Sequence, residues 1–185
     1  MYIEIVSSEQ GIDLFKTYIQ TYHYLGYSRV IGENMKYMVR SKDGSFLACL
    51  LFGAAAWACR DRDTYIGWDR EQRVARLNML ANNVRFLIAP WVRVSCLASY
   101  ILARISHRIS TDWEAKYGHP LQMLETFVDE RFQAVCYRAA NWTCVGRTAG
   151  RGRNDRLNEW KLSEKGIYLL PLNRKWKKSL LAGQE

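Results

Sequence analysis

The sequence has little of what would mark a metal site, a disulfide scaffold or a membrane protein. Its five cysteines (Cys49, Cys59, Cys96, Cys136 and Cys144) are odd in number and scattered, without a C-x-x-C pair. That argues against a disulfide framework or zinc and for free thiols in a reducing cytoplasm. The three histidines (His23, His107 and His119) stand far apart, and none has a second ligand at metal spacing; no metal is expected. No apolar run approaches the roughly 18 residues of a membrane span. Met1-Tyr2-Ile3-Glu4 lacks the basic start and apolar core of a secretory signal. Repeats and low-complexity tracts are also missing.

What is present reads as a folded globule. Apolar residues make up 49% of the 185 and aromatics 13%, enough for a sizeable core, so one domain spanning 1–185 is expected. The net charge of +9 is unevenly placed. Residues 1–83 hold 10 Lys/Arg against 9 Asp/Glu, whereas residues 84–185 hold 17 against 9. The basic C-terminal segment, about 147–185, points to an anionic partner such as DNA or RNA, with a solvated tail as the alternative.

Periodicity gives a coarse map. Tyr2 to Val6 alternates like a strand, and Ser7-Ser8 opens a helix carrying Ile12, Phe15, Ile19 and Tyr22. Met35 to Val39 and Phe46 to Trp57 read as strands joined by a hairpin-type turn, Lys42-Asp43-Gly44-Ser45. Asp69 with Gln72 forms a capping box for a helix carrying Val74, Leu77, Leu80 and Val84. Phe86 to Ile88 is a short strand. Ser95 is placed as N-cap of one long helix with Leu97, Ile101, Ile105, Ile109 and Trp113 on its apolar stripe. Leu121 to Val128 follows as a strand, Glu130 to Ala140 as a helix, and Thr143 to Val145 and Ile167 to Leu170 as strands. The fold expected is mixed α/β (α+β), with a mostly antiparallel sheet flanked by helices.

The most informative stretch is Ile88-Ala-Pro-Trp-Val-Arg93-Val94-Ser95-Cys96-Leu97-Ala98. Here a strand stops, the chain turns, and an amphipathic helix begins. A helix N-terminus offers backbone N–H groups and a positive dipole end, which suit a pyrophosphate. Ser95, Ala98 and Ser99 are small enough for close approach, and Arg93 adds a cation. Many strand–loop–helix units begin in the same way, so these features alone leave ligand binding open.

This stretch resembles the signature of GNAT-type acyl-CoA N-acyltransferases: apolar-x-Pro-x-x-Arg-x-x-Gly-x-Ala followed by an apolar helix. Ile88 to Ala98 matches it with one departure, Cys96 for glycine. The family's later Ala-x-x-Tyr-x-x-x-Gly-Phe is similar to Ala134-Val-Cys-Tyr137-Arg-Ala-Ala-Asn141-Trp142, with Asn141 for glycine and Trp142 for phenylalanine. A closer resemblance covers most of the chain. Ala54-Ala-Ala-Trp57, Arg60-Asp-Arg, Ile66-Gly-Trp68, Arg85-Phe-Leu-Ile88, Leu124-Glu-Thr-Phe-Val-Asp129, Cys136-Tyr-Arg-Ala-Ala-Asn-Trp142 and Gly150-Arg-Gly-Arg153 look like the DruA family, which is linked to the Druantia anti-phage system. Against the longer members of that family, this chain reads as a short form without the N-terminal region.

The resemblance implies an acyl-CoA cofactor, such as acetyl-CoA, held by Ile88, Arg93, Val94, Ser95, Cys96, Leu97, Ala98 and Asn141. It also implies a tyrosine, Tyr137, that protonates the leaving thiolate. The competing reading of Tyr137 is a helix tyrosine packed on the sheet. Glu125 stands in an otherwise apolar strand, where a carboxylate is costly unless paired or functional. It is the candidate general base, with an edge strand facing water as the alternative. Asp61 and Asp129 are further carboxylates for that role, or simply caps and turns. Arg147, Arg151, Arg153 and Arg156, with the glycines between them, form a candidate nucleic-acid surface. His23 and the cysteines are read as structural.

Three functions remain open on the sequence: an acyl-CoA-dependent transferase acting on an amine, a nucleic-acid-binding accessory protein that has lost the reaction, and a small-molecule enzyme of the same fold using another donor.

Overall fold

The computed structural model describes residues 1–148 and 163–182. Among the described residues seven strands form a mostly antiparallel sheet flanked by helices. The chain divides into two units, each assembled from two stretches: Met1–Ala54 with Asn82–Ala98, and Ala55–Ala81 with Ser99–Glu185.

The first unit holds β1 (Tyr2–Ile5), α1 (Glu9–Tyr22), β2 (Asn34–Arg40), β3 (Phe46–Ala54) and most of β4 (Leu80–Ile88), with the strands side by side in that order. Helix α1 begins where Ser8 accepts a hydrogen bond from the Gly11 N–H at 3.2 Å. Four residues apart on one face, Phe15 and Ile19 are fully buried, each burial stabilising the unit by about 2–3 kcal/mol. They pack on Met38, Phe46, Cys49, Leu51, Leu87 and Ala89. Between β2 and β3 the chain reverses through Ser41–Ser45, where Asp43 accepts from the Ser45 N–H and Gly44 takes φ 88°. The pair is antiparallel, with Met35 opposite Phe52 and Tyr37 opposite Leu50. Strand β3 is buried on both faces, hence its unbroken apolar run. It stops at Ala54, three residues before the expected end.

The second unit contains α2 (Arg60–Ile66), α3 (Arg70–Arg76), most of α4 (Leu97–Ser106), α5 (Ile109–Tyr117), β5 (Met123–Asp129), α6 (Val135–Ala139), β6 (Thr143–Arg147), β7 (Lys165–Pro171) and α7 (Trp176–Leu181). Its strands lie in the order β5-β7-β6, both pairs antiparallel, with Glu125 opposite Leu169. Ile66, Trp68, Leu80, Met123, Leu169 and Leu180 form its core.

Three expected helices are corrected. The helix capped by Asp69 and Gln72 has the expected capping box but ends at Arg76. Leu80 and Val84 belong to β4, because a spacing of four keeps residues on one face of a strand as well as of a helix. The stripe Ile101, Ile105, Ile109 and Trp113 is fully buried, as the periodicity predicts. The helix under it is nonetheless two helices, interrupted at His107-Arg108, where Arg108 takes φ −124°. Of the helix expected from Glu130 to Ala140 only Val135–Ala139 is helical, because Ala134 has a left-handed backbone at φ 51°.

Candidate functional site

In the first unit, β4 delivers the chain into the loop that the sequence singles out. Ala89 is buried and its N–H donates to the Leu47 carbonyl at 2.9 Å, while the Val92 N–H closes a turn onto Ala89 O at 2.9 Å. Val92 packs on the core, and Arg93, Val94, Ser95 and Cys96 are exposed beyond it. The Arg93 guanidinium folds back on its own loop, donating to Pro90 O at 2.5 Å and Val92 O at 3.3 Å. Trp91, 53% exposed, meets Tyr22 edge-on at 5.3 Å. Helix α4 starts at Leu97, so Ser95 is not its N-cap. The residue before the helix is Cys96, and it is left-handed at φ 58°, a conformation for which glycine is the default.

The second unit shows the same feature after α6. Asn141 is left-handed at φ 65°, and the chain turns so that the Trp142 N–H donates to the Tyr137 carbonyl at 3.0 Å. Both departures from glycine in the expected motifs therefore occur on glycine-type backbone. Tyr137, 9% exposed, is flanked by Trp142 with ring centroids 5.2 Å apart and by Tyr168 at 6.3 Å. Burial pushes the neighbouring Cys136 thiol above its usual range. That makes it a poor nucleophile.

Glu125 is fully buried, which rules out the water-facing alternative. One carboxylate oxygen accepts from the Ala56 N–H at 2.6 Å and the other from Arg62 Nη1 at 2.9 Å. Arg62, equally buried, also donates to Ala56 O at 2.6 Å and to Asp63 at 2.9 Å. Asp63 further accepts from Trp68 Nε1 at 2.9 Å and Arg73 Nη1 at 3.0 Å. Two arginines and two carboxylates thus balance in one network. Burial raises the Glu125 carboxyl above the usual range, and Arg62 opposes that push. Burial also works against the Arg62 charge, but Glu125 and Asp63 outweigh it and raise its pKa. In this geometry Glu125 anchors α2 through Arg62 and the Ala56 N–H.

The remaining carboxylates and His23 also find local work. Asp129 accepts from the Arg131 side chain at 2.8 Å and from Ser163 Oγ at 2.7 Å, which hold its carboxyl well below the usual range. Asp61 accepts from the Arg147 N–H at 3.0 Å. Its carboxylate occupies the space over Gly146, where a Cβ would lie 1.8 Å from Oδ2. Burial, helped by Arg85, lowers His23 to about 4, and its Nδ1 accepts from the Leu25 N–H at 3.2 Å. Arg147 is exposed, with Glu164 4.0 Å from its guanidinium. Arg151, Arg153 and Arg156 lie outside the described residues. Arg62 and Asp63 were not expected as a pair. The signal for them was the alternation Arg60-Asp61-Arg62-Asp63, which looks like a solvated face until Arg62 and Ile66 are placed on one buried side of α2.

Compared with known protein families, residues 1–168 match the one described as Druantia protein DruA. The chain belongs to the DruA family. No curated protein is similar enough to count as a match. Among solved structures, this DruA-family chain is similar to a mutant of spermidine N-acetyltransferase SpeG from Vibrio cholerae. The identity is 9%, over 95% of this chain and 97% of that one, with a TM-score of 0.61. It is also similar to the spermidine N-acetyltransferase of Vibrio cholerae in complex with CoA and spermine: 9% identity, 92% and 95% covered, TM-score 0.59. The likeness is one of fold. The family member described here has a GNAT acetyltransferase-like architecture.

Proposed function

We propose that this DruA-family protein binds an acyl-CoA and passes its acyl group to an amine. The observation that carries this reading is the backbone at Cys96 and Asn141, left-handed at both positions where the GNAT signature has glycine. The chain has no glycine at either position, yet both hold the conformation that glycine supplies. The fold is that of acetyltransferases, one of which is known with CoA and spermine. The loop residues fit a pyrophosphate: Ser95 and Cys96 are exposed before α4, Arg93 is a cation, and Ile88 to Ala98 includes no acidic side chain.

An acyl-CoA would supply a thioester, whose C–S bond breaks as the amine nitrogen bonds to the carbonyl carbon, the proton shed by the nitrogen replacing on Tyr137 the one given to the thiolate. Backbone N–H groups of Ser95, Cys96, Leu97 and Ala98 would hold the phosphate oxygens of the acyl-CoA, the Leu97 N–H giving up its 3.4 Å bond to the Val94 carbonyl, and Arg93 would turn from the Pro90 carbonyl to the same charge. Tyr137 is the residue that the motif resemblance assigns to protonate the departing thiolate. Its surroundings, with Trp142 and Tyr168 around the ring, suit a desolvated general acid. Glu125 takes no part in the chemistry.

Calorimetry with acetyl-CoA tests the reading. Wild-type protein should bind in the micromolar range, and Arg93→Glu should weaken binding by at least tenfold. Tyr137→Phe should keep the affinity and lower turnover with an amine by about 10²–10⁴-fold. Correctly folded wild type that gives no heat overturns the cofactor assignment and returns the field to other donors.

A second reading, a nucleic-acid-binding protein without the reaction, draws support from two charged groups. Arg93 is turned onto its own carbonyls, and Glu125 is enclosed. Membership in the DruA family is the ground for placing either activity in phage defence, and plaque counts on cells with and without the gene test that placement.

A further inference from the structure

The second unit carries a cationic face that neither the cofactor loop nor the Glu125 network uses. Helices α3 and α7 pack together: the capping-box residue Gln72 donates from Nε2 to the Leu181 carbonyl at 3.0 Å. From α7 and the turn before it come Arg174, Lys175, Lys177 and Lys178, all exposed, and from α3 come exposed Arg70 and half-buried Arg76. Among the described residues no carboxylate pairs with any of the six, whereas Arg73, between them on α3, is committed to Asp63. Against these six cations α3 sets one exposed acid, Glu71, besides its cap Asp69, and the surplus of like charge is relieved by a polyanion.

Two neighbouring features say which polyanion. Trp176 of α7 stacks on Tyr65 of α2 with ring planes 1° apart and centroids separated by 5.7 Å. Tyr65 is also a wall of an open cleft of about 330 Å³ between α2 and β6, lined further by Arg60, Asp61 and Thr143. The cleft is large enough for one planar heterocycle, and it offers a ring, a carboxylate acceptor and hydroxyl groups. An anionic membrane fits less well. Leu180 is buried and Trp176 is occupied by Tyr65, so α7 presents no apolar stripe to insert into lipid.

We infer that this face binds single-stranded nucleic acid, its phosphates on the α3–α7 cations and one unpaired base in the α2–β6 cleft. Basic residues track the backbone, and an aromatic wall receives a base only when that base is free of a duplex. This inference rests on neither the acyl-CoA reading nor the arginines at 151–156. A failed acetyl-CoA titration leaves it standing, and the reverse also holds.

The test is fluorescence anisotropy of the full chain with a labelled single-stranded DNA oligonucleotide, its duplex and anionic phospholipid vesicles, across a salt series. Binding should favour the single strand over the duplex. Lys177→Gln with Lys178→Gln should weaken it at least tenfold and lower the log–log salt slope by about 1.4, the share of two phosphate contacts. Thr143→Tyr, which narrows the cleft, should remove the preference for single strand while leaving the slope unchanged. Circular dichroism melts confirm that both variants are folded. Equal affinity for strand and duplex overturns the base-in-cleft assignment. Undiminished binding by the double-lysine variant, or binding to vesicles alone, overturns the whole inference.

Discussion

A left-handed backbone at a residue with a side chain costs about 1–2 kcal/mol, less for asparagine than for others. Cys96 and Ala134 bear that cost in full, whereas Asn141 bears little of it. Cys96→Gly and Ala134→Gly should therefore each raise unfolding stability by about 0.5–1 kcal/mol in urea titrations, the glycine's extra freedom in the unfolded chain taking back the rest. Asn141→Gly should change it by a few tenths. A destabilised Cys96→Gly would show that the thiol makes a contact worth more than the strain. The sequence marks Cys96 and Asn141 as departures from a motif, but a one-letter string carries no φ angle, so their conformation was not readable there. His23 adds a pH dependence at this scale. Its pKa is lowered to about 4 in the folded protein, against an ordinary value of 6.5. The unfolded chain thus binds more protons between those values, and the stabilisation is complete above pH 6.5 and lost as pH falls toward 4. About 1–3 kcal/mol is at stake after allowance for partial exposure. His23→Asn retains an acceptor for Leu25, and its stability should fall less than wild type's between pH 7 and pH 4.5.

Among the elements, α2 and α3 depend most on a few polar groups. Arg62 reaches Glu125, Asp63 and Ala56, and Trp68 and Arg73 complete the Asp63 side. Removing one member leaves a buried charge without its partner. Arg62→Met should cost about 3–5 kcal/mol, and adding Glu125→Leu should recover part of that loss. A double-mutant cycle of urea midpoints measures the coupling, and strictly additive losses would mean the pair is not an interacting unit. The elements also show where periodicity informs and where it misleads. Leu80 and Val84 continued a helical stripe into what is a strand, since residues four apart share a face in both. Ile101, Ile105, Ile109 and Trp113 gave the right buried face but hid the break at His107-Arg108, which leaves the four-residue rhythm intact. Helix α6 is shorter than the letters suggest, because nothing in Gln133-Ala134-Val135 announces a left-handed alanine.

At the scale of the whole chain, the alternation of strands and helices and two ordered motifs were enough to read the architecture, because order along the chain largely dictates neighbours in the sheet. The site was legible only in part. The loop from Ile88 to Ala98 could be found from its motif, whereas the partners of Glu125 come from residues more than sixty positions away. The cationic face on α3 and α7 was visible only as a surplus of charge. The interleaving of the two units has a consequence for synthesis. Strand β3, the most apolar of the set, pairs on one side with β2, but its other neighbour, β4, is encoded after the whole of α2 and α3. At about 5–20 residues per second, a ribosome takes roughly two to seven seconds to add the residues from 55 to 88. Between the emergence of β3 from the ribosome and that of β4, an interval of the same length, the nascent chain carries an apolar strand with an open edge, the form most prone to pairing with a second chain. Yield in a host should therefore depend on how quickly β4 follows β3 out of the ribosome, and slow codons read in that window, downstream of codon 88, should send the product into aggregates without altering one residue of it.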